Sequence, residues 1–181
     1  MLSAFMGLNA QVRHKEAIKV EIGFGMSSPY NSSDEIVDTG LFLQGTYVVR
    51  MASWFDVCPY AGVILTKSKG RDVHDDPTDE KATSSAILVG GKGRVKAPIP
   101  WVAPYIELGV GVSVGRFETF TYFTDIEKKG LVYHIPFSLG FELGRNHGVD
   151  IGLSYYYQPT VEQYAGALAI GLSIPINVRN Q

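Results

Sequence analysis

Between residues 17 and 176, apolar side chains alternate one for one with polar, charged or glycine residues in eight successive stretches. A period of two puts the two series on opposite faces of a β-strand, so each stretch reads as a strand with one greasy face. The stretches cover residues 17–27, 39–51, 55–65, 85–97, 103–114, 131–143, 149–158 and 163–178. The fifth sets Ile106, Leu108, Val110, Val112 and Val114 against Tyr105, Glu107, Gly109, Gly111 and Ser113. The first sets Ile18, Val20, Ile22, Phe24 and Met26 against Lys19, Glu21, Gly23 and Gly25. A small barrel standing in lipid needs this pattern, because lipid-facing and lumen-facing residues swap at every step.

The connections repeat with their own rhythm. Short links follow the second, fourth and sixth stretches, at residues 52–54, 98–101 and 144–148. Long polar segments follow the first, third and fifth, among them residues 67–84 and an aromatic-rich loop at 115–130. Short turns on one side and long loops on the other are the habit of outer-membrane barrels, and an even strand number returns both ends of the barrel to one side. Trp54 and Trp101 fall at the short-turn end, whereas Tyr155, Tyr157 and Tyr164 lie toward the other rim. No window approaches 18 consecutive apolar residues, which excludes a transmembrane helix.

With 16 basic and 18 acidic residues, the chain offers no cationic field for nucleic acid. Its single cysteine, Cys58, excludes an intrachain disulfide and a cysteine-based zinc site. Residues 2–8 are apolar and Leu8-Asn9-Ala10 ends in a small residue, so residues 1–16 are read as the remnant of a secretory signal plus a lead-in, with the mature chain starting near Gln11. The barrel domain is placed at 17–178 and a short tail at 179–181.

Placed with the apolar series outward, the strands direct Lys19, Glu21, Arg50, Asp56, Lys92, Arg94, Glu107, Glu142 and Asp150 into the lumen, joined by His134. Unpaired charges in a poorly hydrated bore are costly, so a lumen network of ion pairs is expected. His134 is the one inward histidine that could serve as a general base, but no serine-histidine-acid set assembles on one strand face. His14, His74 and His147 are scattered and suggest no metal site, and the Asp-rich run at 72–80 lacks the spacing of a calcium loop. Phe117, Phe120, Tyr122 and Phe123, interleaved with charges, form a candidate contact patch on a loop.

These strands and connections resemble the small bacterial outer-membrane β-barrel proteins, the eight-stranded type of the OmpA transmembrane domain and OmpX, within the broader porin-like outer-membrane family. The resemblance implies an all-β, eight-stranded antiparallel transmembrane barrel with up-and-down meander order, resident in a Gram-negative outer membrane. Residues 152–176, a Tyr-rich strand leading to a final strand that ends Ser173-Ile174-Pro175-Ile176, are also similar to the end of the lipid A deacylase barrels. Those enzymes carry a His-x-Ser pair on the penultimate strand. This chain reads Ser154-Tyr155-Tyr156-Tyr157-Gln158 there, so the likeness is architectural.

The expected function is therefore non-enzymatic, structural or porin-like, with no cofactor. Outer-membrane lipid is the expected surrounding, an external ligand or protein the expected partner of the long loops, and a monomer the expected state. Two alternatives stay open: an outer-membrane lipid A-modifying hydrolase with an atypical site, and a soluble lipocalin-like barrel binding an apolar ligand. The last would turn every apolar series inward, which periodicity alone does not decide.

Overall fold

The computed structural model describes residues 16–31, 36–71, 74 and 76–176. The expected signal remnant, the C-terminal tail, His14 and part of the Asp-rich run fall outside the described residues. Eight strands close into one barrel in meander order: β1 (Glu16–Pro29), β2 (Asp38–Arg50), β3 (Phe55–Lys67), β4 (Lys81–Lys96), β5 (Val102–Phe120), β6 (Asp125–Leu143), β7 (Val149–Gln158) and β8 (Gln163–Ile176). Every neighbouring pair is antiparallel, and β1 closes on β8 from Glu16 opposite Ile176 to Pro29 opposite Gln163. Closure removes the free edges on which an open sheet would aggregate.

The side-chain direction is settled strand by strand. Ile106, Leu108, Val110 and Ile170 stand on the outer wall, 57%, 60%, 72% and 57% exposed, while Lys19, Lys92 and Glu107 are buried inside. This is the reverse of what a barrel holding an apolar ligand would need. Hidden charges and exposed aliphatics are the pattern of a barrel whose surroundings are apolar. From Pro104 to Val114, strand rise and tilt give a belt about 25 Å tall, the height of the apolar band of outer-membrane barrels. Trp54 and Trp101 project at the turn end of this belt. At the loop end Tyr30, Tyr155, Tyr157 and Tyr164 pack ring on ring with centroids 4.3 to 5.8 Å apart.

Of the prolines within strands, Pro59 and Pro136 coincide with gaps in the ladder. Pairing of β2 with β3 lapses between Thr46–Tyr60 and Val49–Val57, beside Pro59, and pairing of β5 with β6 lapses between Leu108–Phe137 and Gly111–His134, beside Pro136. Proline has no N–H to donate, so the lapse falls where the donor is missing.

The aromatic-rich loop expected at 115–130 is instead a hairpin. β5 runs on to Phe120 and β6 begins at Asp125, with Arg116 opposite Lys129 and Glu118 opposite Glu127. The four-residue turn is tied by Thr121 and Thr124, whose backbones exchange N–H to carbonyl bonds of 2.7 and 3.3 Å. Beyond Val114 the paired strands run about 15 Å past the belt. Its inner face does not stand free, since Phe117 and Thr119 are buried and Thr119 donates to the carbonyl of Val161 at 2.8 Å. Val161 belongs to a 3-10 turn (Pro159–Val161) between β7 and β8 that folds into the mouth.

Candidate functional site

The lumen is filled in two tiers. Toward the turn end, the inward positions of β1, β2, β3, β4, β5, β6 and β7 bring together the charged residues. Glu107 is the centre: Lys92 Nζ approaches its Oε2 at 2.5 Å, and Arg94 donates to its Oε1 from Nε at 2.8 Å and Nη2 at 2.6 Å. Arg94 also reaches Glu142 through Nη1 at 2.5 Å, and Lys96 joins Glu142 at 3.3 Å to Asp56 at 2.7 Å. Arg50 closes the row on Asp56 at 3.5 Å. On the other side Lys19 sits between Glu21 at 2.9 Å and Asp150 at 3.5 Å. Tyr105 donates to Asp150 at 2.8 Å while its ring lies 4.4 Å from the Arg94 guanidinium.

All ten lumen residues named from the sequence lie in the bore or at its turn-end mouth, where Arg50 is partly exposed. The sequence reading missed Lys96, which shares its strand parity with Lys92 and Arg94. With it, five cations (Lys19, Arg50, Lys92, Arg94, Lys96) meet five carboxylates (Glu21, Asp56, Glu107, Glu142, Asp150). A neutral, multiply hydrogen-bonded set is the form in which buried charge is tolerated.

Toward the loop end the filling changes to rings, amides and aliphatics. Tyr60 shares a 2.5 Å hydrogen bond with His134 Nε2, and Ser113 shares one of 2.7 Å with His134 Nδ1. Tyr156 donates to Gln44 Oε1 at 2.7 Å and meets the His134 ring edge-on at 5.3 Å. Above them Phe42, Ile64, Leu88, Phe117 and Val161 form an apolar plug. Rings of this size fit a narrow bore only over bare backbone: a Cβ on Gly111 would overlap both His134 and the Tyr60 hydroxyl, and one on Gly140 would overlap Tyr105.

Serine and histidine thus touch, as a nucleophile and base would, but the third position holds the Tyr60 hydroxyl and not a carboxylate. All three are at most 3% exposed inside the barrel. Their arrangement supplies hydrogen-bond satisfaction for buried polar groups. No group of three or more histidine, cysteine, aspartate or glutamate side chains suited to a metal occurs among the described residues.

The four aromatics grouped as a contact patch separate. Phe117 is a correction: it is fully buried, because the strand continues and odd-numbered β5 positions face inward. Phe120 is 42% exposed, and Tyr122 and Phe123 are 84% and 67% exposed at the hairpin tip, where their rings meet edge-on at 5.4 Å. The tip is held down at both sides. The Tyr122 N–H donates to Glu80 at 2.8 Å, and the Thr124 hydroxyl donates to Glu162 at 3.0 Å.

No protein-family model matches the chain, and no curated protein matches it by sequence. Solved structures do. Neisserial surface protein A superposes with a TM-score of 0.61 at 12% identity, covering 88% of this chain and 96% of that one. Ail, the attachment invasion locus protein of Yersinia pestis, gives 0.52 at 12% identity over 90% of this chain and 99% of that one. The outer membrane protein OprG from Pseudomonas aeruginosa gives 0.50 at 16% identity, over 89% and 97%. At these identities the likeness is one of fold: the chain has the fold of the small eight-stranded outer-membrane β-barrels.

Proposed function

We propose that this chain is a non-enzymatic, non-conducting barrel of a Gram-negative outer membrane that meets an external partner through its loop end. The observation that carries the reading is the division of labour between bore and rim. The bore is occupied from mouth to mouth by ion pairs, rings and aliphatic side chains, as eight-stranded barrels leave room for little else. The rim instead carries the hairpin with Tyr122 and Phe123 exposed beyond the belt. The aliphatic outer wall between tryptophans and tyrosines supports residence in lipid, and the burial of Ser113 and His134 favours a structural role over a hydrolytic one.

Two measurements test this. Purified protein in planar bilayers is expected to show no ohmic conductance at neutral pH. A Tyr122→Cys variant on intact cells is expected to react with a membrane-impermeant maleimide, whereas Cys58, buried in the bore, stays silent in the parent chain. Steady single-channel currents, or labelling that appears only after lysis, would overturn the proposal.

A further inference from the structure

Outside the belt, β4, β5 and β6 present three successive rows of side chains toward the surroundings. The lowest is aliphatic: Ile87 opposite Val114, and Val114 opposite Leu131. The next is Ser85 opposite Arg116, and Arg116 opposite Lys129. The highest is Thr83 opposite Glu118, and Glu118 opposite Glu127. Ser85, Arg116 and Lys129 are all exposed, the last two by 54% and 68% of their side chains.

Directly opposed like charges destabilise an antiparallel pair, and here they occur twice in succession. The diagonals offset part of this: Arg116 Nη2 lies 2.6 Å from Glu118 and 3.2 Å from Glu127, and Lys129 Nζ lies 3.3 Å from Glu127. Lys81 extends the ladder to Glu118 at 2.8 Å, and this hydrogen bond holds the Glu118 carboxyl below its ordinary range. Opposite charges placed face to face would have made the same ladder without a repulsive step. The order adopted keeps two cations side by side, about 5 Å apart, at the edge of the aliphatic surface, with both carboxylates one step farther out.

From this juxtaposition we infer that Arg116 and Lys129, flanked by the Ser85 hydroxyl, bind the phosphate of a lipid headgroup whose acyl chains lie on Ile87, Val114 and Leu131. A phosphate monoester has the charge and the oxygen atoms to bridge guanidinium and ammonium, and it removes the repulsion between them. A lipid supplies the occupant because the cations adjoin the apolar belt without a gap. The next strands round the barrel, β7 and β8, differ: at the loop end they carry Tyr155, Tyr157 and Tyr164, which suit an uncharged interface. The site is therefore one-sided. The inference rests on the outer-membrane reading above.

The test uses the folded full chain in zwitterionic detergent, with native mass spectrometry against bisphosphorylated lipid A, the same lipid with its phosphates removed, and inorganic phosphate. The bisphosphorylated lipid is expected to bind in preference to both others, and the Arg116→Ser/Lys129→Ser variant to lose about tenfold or more in affinity. Lys67→Ser, which removes an exposed cation on the neighbouring strand one step higher, is expected to leave binding within about twofold. Equal binding of the dephosphorylated lipid, equal binding of inorganic phosphate, unchanged affinity in the double variant, or an equal loss in Lys67→Ser would each overturn the site. Heat-dependent gel mobility shows that each variant has closed its barrel, and flotation with liposomes separates the two readings. A parent chain that does not float refutes both, whereas one that floats without phosphate preference refutes only the headgroup site.

Discussion

Glu107 holds two cations at once, so its loss is not the loss of one ion pair. Glu107→Gln would leave Lys92 and Arg94 buried against a neutral amide, with Ser138 the remaining hydrogen-bond partner of Lys92 and Glu142 that of Arg94. Removing one partner of a buried pair costs on the order of 3–5 kcal/mol, because the other charge stays uncompensated. Urea titration of the variant in lipid vesicles is expected to show a loss of that size, and a loss below about 1 kcal/mol would mean that water reaches the network. Most of this tier was legible from parity alone. Lys96 lies inside the fourth stretch at the parity of Lys92 and Arg94, so the same rule places it in the lumen, and the sequence reading left it out without a physical reason. The ring tier was less legible, since nothing in Tyr60, Tyr156 or Gln44 announces that they fit a bore. The signal that was present is the inward glycines, Gly90 and Gly111, which leave room for the Tyr60 hydroxyl.

At the scale of the element, the β5–β6 hairpin shows why a strand can vanish from a sequence. Within the belt the outward series is aliphatic and alternation is strict; above it the outward positions are the charged Arg116, Glu118, Glu127 and Lys129, so the segment reads as loop. Carrying the β5 parity past Gly115 would have placed Phe117 inside and Phe120 outside, as the structure has them. Two variants in this one element should behave differently. Phe117→Ala empties part of the plug over the mouth and is expected to lower unfolding stability by about 3 kcal/mol. Tyr122→Ser combined with Phe123→Ser removes more ring area from an exposed tip and should leave stability within about 0.5 kcal/mol. Equal losses in the two proteins, measured by the same urea titration, would show that the tip packs onto the barrel.

For the whole molecule, the two tiers stand in series along one axis, and on the non-conducting reading proposed above each closes the bore by itself. On that reading the ionic tier resists passage because its charges are mutually neutralised and hydrogen-bonded, and the upper tier because Phe42, Ile64, Leu88 and Phe117 offer nothing to hydrate an ion. A seal in series fails only when both parts fail. Arg94→Ala alone, which thins the ionic tier, is therefore expected to remain closed in planar bilayers, and Phe42→Ala alone likewise. The combined variant, provided its gel mobility still marks a closed barrel, should leak small ions as brief, flickering currents. If Arg94→Ala by itself conducts steadily, the upper tier is not a barrier, and the bore would be a pore whose gate is the ion-pair network.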